Sequence, residues 1–413
     1  MSKYWFILSL CFGGCIEPYA INSELSVKAV AVDGLFTNAA DGHYVRLTNT
    51  YALSEASPAP ISGAKVIVEG ETISIVFVET NPGYYEPVEN VAGVPGQVYQ
   101  LIVELTDGTI MKSSTIAMPS ELEIDSLYAL PKILPSTNSN LDEAGFQFFV
   151  SAHDPEKQNF NVRYEFQESF QINVPLPSEY IFDYEDSIVV PRDTLVATCF
   201  RKDRSNEYLI GTTSGLGNPQ LTEFPLRFKS QLGPELSSAF YLSVKQYAIT
   251  NEAYEYYRVL SKNNTSAGSL FDTQKGSVIG NVHVEGDDDV IVQGFFEVST
   301  MKRQDRQFDA VELFENNEDI PIGTACLADE FGNPVTYTVL ASEVGRILKI
   351  EGIPFVSFTG AYWRIVQHAG FGQAPPGLAW SGGTGALVII ANRTCSDCTY
   401  YGLIDRPDFW RVD

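Results

Sequence analysis

The side chains with most chemistry to offer are thiols. Cys15 follows Gly13-Gly14, and before them runs an apolar stretch from Tyr4 to Phe12 opened by Lys3. That is the layout of a secretory signal with a lipobox, in which small residues let the peptidase reach the bond before a lipidated cysteine. The apolar stretch is about half of the ~20 residues a helix needs to cross a bilayer, so cleavage fits better than a permanent span. The expectation is a signal over 1–14 and a lipidated tether over 15–25 with Cys15 at its head. Cys11 would leave with the signal, and four thiols would remain: Cys199, Cys326, Cys395 and Cys398. In an exported chain they are disulfide candidates, and four cysteines allow three pairings among which sequence does not choose. Cys395 and Cys398 form a CxxC within a polar run, Asn392 to Tyr401, rather than at a helix start after a strand, which favours a structural bond over a redox centre.

Other chemistries find little support. The four histidines, His43, His153, His283 and His368, make no HExxH and no helical pair. Ser214 and Ser381 lie in glycine-containing stretches without a GxSxG elbow, and Ser381-Gly382-Gly383-Thr384-Gly385 lacks the lysine of a phosphate-binding loop. Asp287-Asp288-Asp289 after Gly286 could offer oxygens to calcium but lacks the EF-hand spacing, so a solvated turn is the stronger reading. No cofactor and no metal site is expected, and the chain reads as a non-enzyme. Asp125-Ser126-Leu127, Asp186-Ser187-Ile188 and Asp193-Thr194-Leu195 resemble a short O-glycosylation pattern, one that also arises readily by chance.

The elements that would carry a binding function are strands. In Tyr99 to Leu105 and in Phe160 to Phe166 apolar residues alternate with polar ones, the period of a half-buried strand. Similar runs occur at 43–48, 64–69, 73–79, 145–152, 239–247 and 290–298, punctuated by turns such as Asn81-Pro82-Gly83 and Thr106-Asp107-Gly108-Thr109. The reading is a mainly β protein. An Ig-like or transthyretin-like β-sandwich over 26–119 precedes a larger β-sandwich domain over 120–413 that carries one prominent helix near 251–262, capped by Asn251. A lone helix most often covers a sheet edge or face, so its tyrosines read first as core, while Tyr254, Tyr256 and Tyr257, with Phe409 and Trp410 near the C-terminus, are the candidate ligand or partner surface.

Length and charge bound the partners. A chain of 413 residues, 44% hydrophobic, can bury real cores. A formal net charge of −25 argues against nucleic acid and against adsorption to anionic lipid, so attachment to a membrane would be covalent.

Several longer stretches carry a family likeness. They are Val244 to Tyr257, Gly268-Ser269-Leu270-Phe271-Asp272, Gly280-Asn281-Val282, Cys395-Ser396-Asp397-Cys398 and Arg406-Pro407-Asp408-Phe409-Trp410, with Cys15-Ile16-Glu17-Pro18-Tyr19 and Ser62-Gly63-Ala64 at the start. The chain resembles the Bacteroidota outer-membrane lipoproteins of the domain-of-unknown-function family four-two-four-nine. The resemblance implies a place beside TonB-dependent outer-membrane receptors, encoded and situated with them, and it supplies no catalytic residues. The functional expectation is an accessory binding subunit of a TonB-dependent transporter or related outer-membrane β-barrel, lipid-anchored in the outer membrane and facing the cell surface, with the periplasmic face as the alternative orientation. A stand-alone glycan- or protein-binding adhesin-like module is the second expectation.

Overall fold

The alternating segments are strands. The computed structural model describes residues 29–50, 57–135, 142–183, 185–186, 188–231, 233–265, 278, 280–287, 292–315, 336–340, 363–371 and 386–407. Cys15, Cys326, Asp288, Asp289, Phe409 and Trp410, with the signal and tether, lie outside them.

The first eight strands are β1 (Val30–Thr37), β2 (Tyr44–Asn49), β3 (Lys65–Gly70), β4 (Ser74–Asn81), β5 (Tyr84–Pro87), β6 (Val98–Glu104), β7 (Ile110–Ser113) and β8 (Ile116–Ala117). Their inward positions, among them Val45, Leu47, Val66, Val68, Phe77, Leu101 and Val103, form one core with Val32 and Phe36. The turns between them are of the expected kind. Gly83 takes φ +71, where a Cβ would meet the Leu47 carbonyl oxygen at 2.6 Å, so the turn requires glycine. Glu79 accepts the backbone N–H of Gly83 at 2.8 Å and of Gly63 at 2.9 Å, joining two turns through one carboxylate.

Beyond residue 120 follow β9 (Glu123–Leu134), β10 (Glu143–His153), β11 (Asn161–Asn173), β12 (Tyr180–Asp183), β13 (Ile188–Pro191), β14 (Thr198–Arg204), β15 (Leu209–Thr212), β16 (Gln220–Ser230) and β17 (Ala239–Ile249). Next come helix α1 (Asn251–Thr265), β18 (Val282–Val284), β19 (Val292–Asp309) and the short helix α2 (Ala310–Phe314). The chain closes with β20 (Thr336–Leu340), β21 (Trp363–Phe371), β22 (Ala386–Asn392) and α3 (Arg393–Ser396). A fourteen-stranded sheet runs β14-β11-β17-β19-β1-β2-β5-β4-β3-β6-β7-β18, with β15 also on β11 and β8 on β6. A three-stranded sheet, β16-β10-β9, and a five-stranded one, β13-β12-β21-β22-β20, account for the other strands among the described residues.

Strand β19 is the seam. Its first half, Val292–Ser299, pairs in parallel with β1, and its second half, Thr300–Asp309, pairs antiparallel with β17. Strand β18 pairs with β7. Two strands from beyond the expected division at residue 119 therefore complete the first layer, and Val282, Phe296 and Val298 sit in its core.

The larger sandwich packs the three-stranded sheet on one face of β11, β17 and β19. Phe146, Phe148 and Val150 of β10 meet Val162, Tyr164 and Phe166 of β11 and Phe240, Leu242 and Val244 of β17. Phe148 lies 4.7 Å from Phe240 and 5.0 Å from Phe308, ring to ring. Each such side chain contributes about 1.5–3 kcal/mol by leaving water. Because successive side chains on a strand alternate, the odd-numbered residues of these strands point to the opposite face. That face is not left to solvent, because α1 and the segment 204–208 lie over part of it.

The helix starts as expected, but its cap differs. Thr250 accepts the backbone N–H of Ala253 on its side-chain oxygen at 3.2 Å and that of Tyr254 on its carbonyl at 2.9 Å. Thr250 is therefore the N-cap, and Asn251, named for that role from sequence, instead accepts a hydrogen bond from the Asn161 side-chain amide of β11.

Candidate functional site

The covered face of β11, β17 and β19 carries charge where strand patterning places an ordinary half-exposed row. Arg163 on β11 is 7% exposed and Glu297 on β19 is 1% exposed. The guanidinium donates from Nε to Glu297 Oε2 at 2.9 Å and from Nη2 to Oε1 at 3.0 Å, a two-pronged pair, and from Nη1 to Glu165. Ser299 donates to Glu297 Oε1 at 2.8 Å, and the Tyr257 hydroxyl also bonds to that carboxylate. The guanidinium carbon lies 4.2 Å from the Tyr247 ring centroid and 5.2 Å from that of Tyr257, both within cation–π range.

This network fixes protonation states. Burial works against the Arg163 cation, yet the charge of Glu297 holds it well above its ordinary value. Burial raises the Glu165 carboxyl, but Arg163 outweighs it, and the net shift is downward. Tyr247 and Tyr257 are driven up, first by burial and then by the neighbouring carboxylates. Asp33 on β1 is raised, because burial outweighs the attraction of Arg46. It accepts from the Tyr44 hydroxyl at 3.2 Å and from Arg46 Nη2 at 2.9 Å.

Two cavities open on this centre, sharing Arg163, Glu165 and Tyr208. One, of about 350 Å³, lies toward β1 and β2 among Asp33, Tyr44, Arg46, Tyr256 and Tyr257. The other, of about 420 Å³, lies toward Arg204, Lys245 and Arg303. Both have the size of small-ligand pockets. Tyr208, 36% exposed, stands at their common rim with its ring stacked 5.4 Å from that of Tyr257.

Of the tyrosines named from sequence, Tyr256 and Tyr257 line this groove, and both are anchored: Tyr256 stacks on Phe295 at 4.8 Å. Burial pushes the Tyr256 hydroxyl up to about 12. Tyr254 packs with the buried group around Ala253 and does not line the cavity. Sequence reading missed Arg163, Glu297, Tyr208 and Lys245. A signal for Glu297 was present, since a carboxylate inside Phe295-Phe296-Glu297-Val298 is foreign to an apolar strand unless a cation meets it.

The other sequence candidates fall elsewhere. Cys199 is bonded to Cys398, with Cα atoms 5.4 Å apart. Cys395 is also disulfide-bonded, to a partner outside the described residues, so the two cysteines of the CxxC are not joined to each other. Asp287 is exposed after β18. Among the described residues no group of three or more His, Cys, Asp or Glu converges as a metal site, and no helix is long and apolar enough to cross a membrane.

A family model matches residues 16–305, more than two thirds of the chain. The chain belongs to the family described as Domain of unknown function (DUF4249). The match contains every groove residue named above and ends within β19, short of the Cys395–Cys398 segment. No curated protein and no solved structure matches the chain.

Proposed function

We propose that this member of the DUF4249 family is a non-enzymatic accessory binding subunit of the bacterial outer envelope. In this reading the chain is exported, cleaved before Cys15, lipidated there, held on the cell-surface side of the outer membrane and docked to a TonB-dependent receptor or related outer-membrane β-barrel. The groove around Arg163 is its ligand site.

The groove carries the reading. At its centre the polar groups are tied to one another: Arg163 is held by two carboxylates, Glu165 is kept ionised, and the surrounding tyrosine hydroxyls are held protonated. General acid–base work calls for a group that exchanges its proton near neutral pH. A rigid floor with aromatic walls suits recognition instead. The lipid anchor rests on Gly13-Gly14-Cys15, and the barrel partner on the family likeness.

Affinity purification of the lipidated protein from native outer membranes tests this. Recovery of an outer-membrane barrel supports the proposal, and preparations free of any barrel count against it. The exposed ring of Tyr208 also suits the second reading, a stand-alone glycan or protein binder. That reading predicts whole-cell adhesion by the purified chain without a barrel.

A further inference from the structure

The cavity of about 420 Å³ is cationic inside an acidic protein. Its wall carries Arg163, Arg204, Lys245 and Arg303 against Glu165 and Glu207, while the whole chain is at −25. Two of these cations are spoken for. Arg163 is held by Glu297 and Glu165, and Arg303 by Asp305 at 2.8 Å. Among the described residues Lys245 and Arg204 have neither an ion-pair partner within 4.0 Å nor a side-chain hydrogen bond. Lys245 sits in mid-sheet, in register between Glu165 and Arg303, and is half-buried. The charge of Lys245 helps hold the Glu165 carboxyl down, but that carboxylate is already bonded to Arg163, so Lys245 on its partly dry wall still attracts an entering anion more strongly than it would in water.

The form of that anion follows from the rest of the wall. Strand β11 pairs with β14, β15 and β17, and β17 pairs with β11 and β19, so neither of these two central strands offers a free edge to which an extended peptide could add. Recognition over them runs through side chains. Gln167 and Asn206 bring side-chain amides to the same wall, donors and acceptors suited to hydroxyl groups. Tyr208, braced by Tyr257, offers an aromatic face to a ring.

We infer that this cavity binds an acidic saccharide, its uronate carboxylate on Lys245 and Arg204 and its ring against Tyr208. The inference deepens the reading of the groove as a ligand site.

Isothermal titration calorimetry on the full chain tests it with digalacturonate and dimannuronate, the matching neutral disaccharides and inorganic phosphate. At least one uronate is expected to bind, at least about tenfold more tightly than its neutral counterpart. Lys245→Gln should weaken that binding about tenfold while leaving the melting temperature nearly in place, since Lys245 makes no side-chain hydrogen bond or ion pair within 4.0 Å and Glu165 keeps Arg163. Raising salt from about 50 to about 500 mM should weaken it as well. Equal affinity for acid and neutral sugars, phosphate binding as tight as uronate, unchanged affinity in the variant, or no binding of any probe would each overturn the inference. The last outcome, with a barrel still recovered from native membranes, would remove the ligand class and leave the accessory-subunit reading standing.

Discussion

Arg163 and Glu297 set the terms at the scale of single residues. Placing two charges inside a protein costs hydration, which their attraction offsets only with good geometry, and here two parallel hydrogen bonds, Ser299, Glu165 and two tyrosine rings supply it. Arg163→Met strands a carboxylate that is 1% exposed, so a loss of about 3–5 kcal/mol is expected in urea unfolding, and adding Glu297→Leu should recover part of it. Additive losses in that cycle would mean the pair is not coupled. His43 gives a pH test. It is buried and neutral, with Nδ1 accepting from the Thr37 N–H at 3.2 Å and Nε2 facing the Val91 carbonyl at 2.6 Å, and burial lowers its pKa. As pH falls through about 6.5 the unfolded chain takes up a proton that the folded one refuses, so this contribution is complete above that value and lost below it. Thermal melts from pH 7.5 to 5.5 should fall, and His43→Gln should flatten the slope. These residues were hard to read from sequence, because a charged residue in an alternating strand looks solvated until its covering element is known. Arg163 and Glu297 are 134 positions apart, and only the fold brings them together.

At the scale of elements, strand period and turn chemistry were legible. The alternation at Tyr99 to Leu105 and Phe160 to Phe166 is β6 and β11, and Asn81-Pro82-Gly83 is the turn between β4 and β5. The helix was legible too, with Thr250 rather than Asn251 as its cap, because either side chain can accept the N–H bond and one position of phase decides between them. What alternation did not reveal is that β11 is buried on both faces, by a sheet on one and by α1 with the 204–208 segment on the other. Disulfide connectivity was illegible for the same reason as the ion pair. The Cys199–Cys398 bond ties β14 to the turn after α3 across 199 positions. Replacing both cysteines by alanine should cost about 2–5 kcal/mol by freeing the unfolded chain. Peptide mapping without reduction should show the Cys199 and Cys398 peptides joined, and a Cys395–Cys398 peptide would contradict the structure.

At the scale of the whole molecule, β19 determines how the parts belong together. Strands from before and after residue 120 both pair with it, and its first half closes the sheet of which β1 would otherwise be an open edge. A fragment of residues 26–119, the unit read from sequence, lacks both β18 and β19. It should therefore lack a cooperative melt, whereas an independently folded fragment with a sharp transition would show that the late strands are additions. The match to residues 16–305 takes in strands on both sides of residue 120, with β18 and most of β19 among them. The same arrangement gives the groove its rigidity, since β1, β11, β17 and β19 form one hydrogen-bonded sheet beneath it.

Photo-crosslinking in intact cells tests the groove most directly. A photoreactive aromatic amino acid at Tyr208, on the shared rim, should give a light-dependent adduct by mass spectrometry of protein taken from its own outer membrane. The same residue at Ile133, 61% exposed on the sheet that packs against the other face, should give none. Equal adducts from both positions, or adducts from Ile133 alone, would contradict the assignment of this groove as the place where the protein binds.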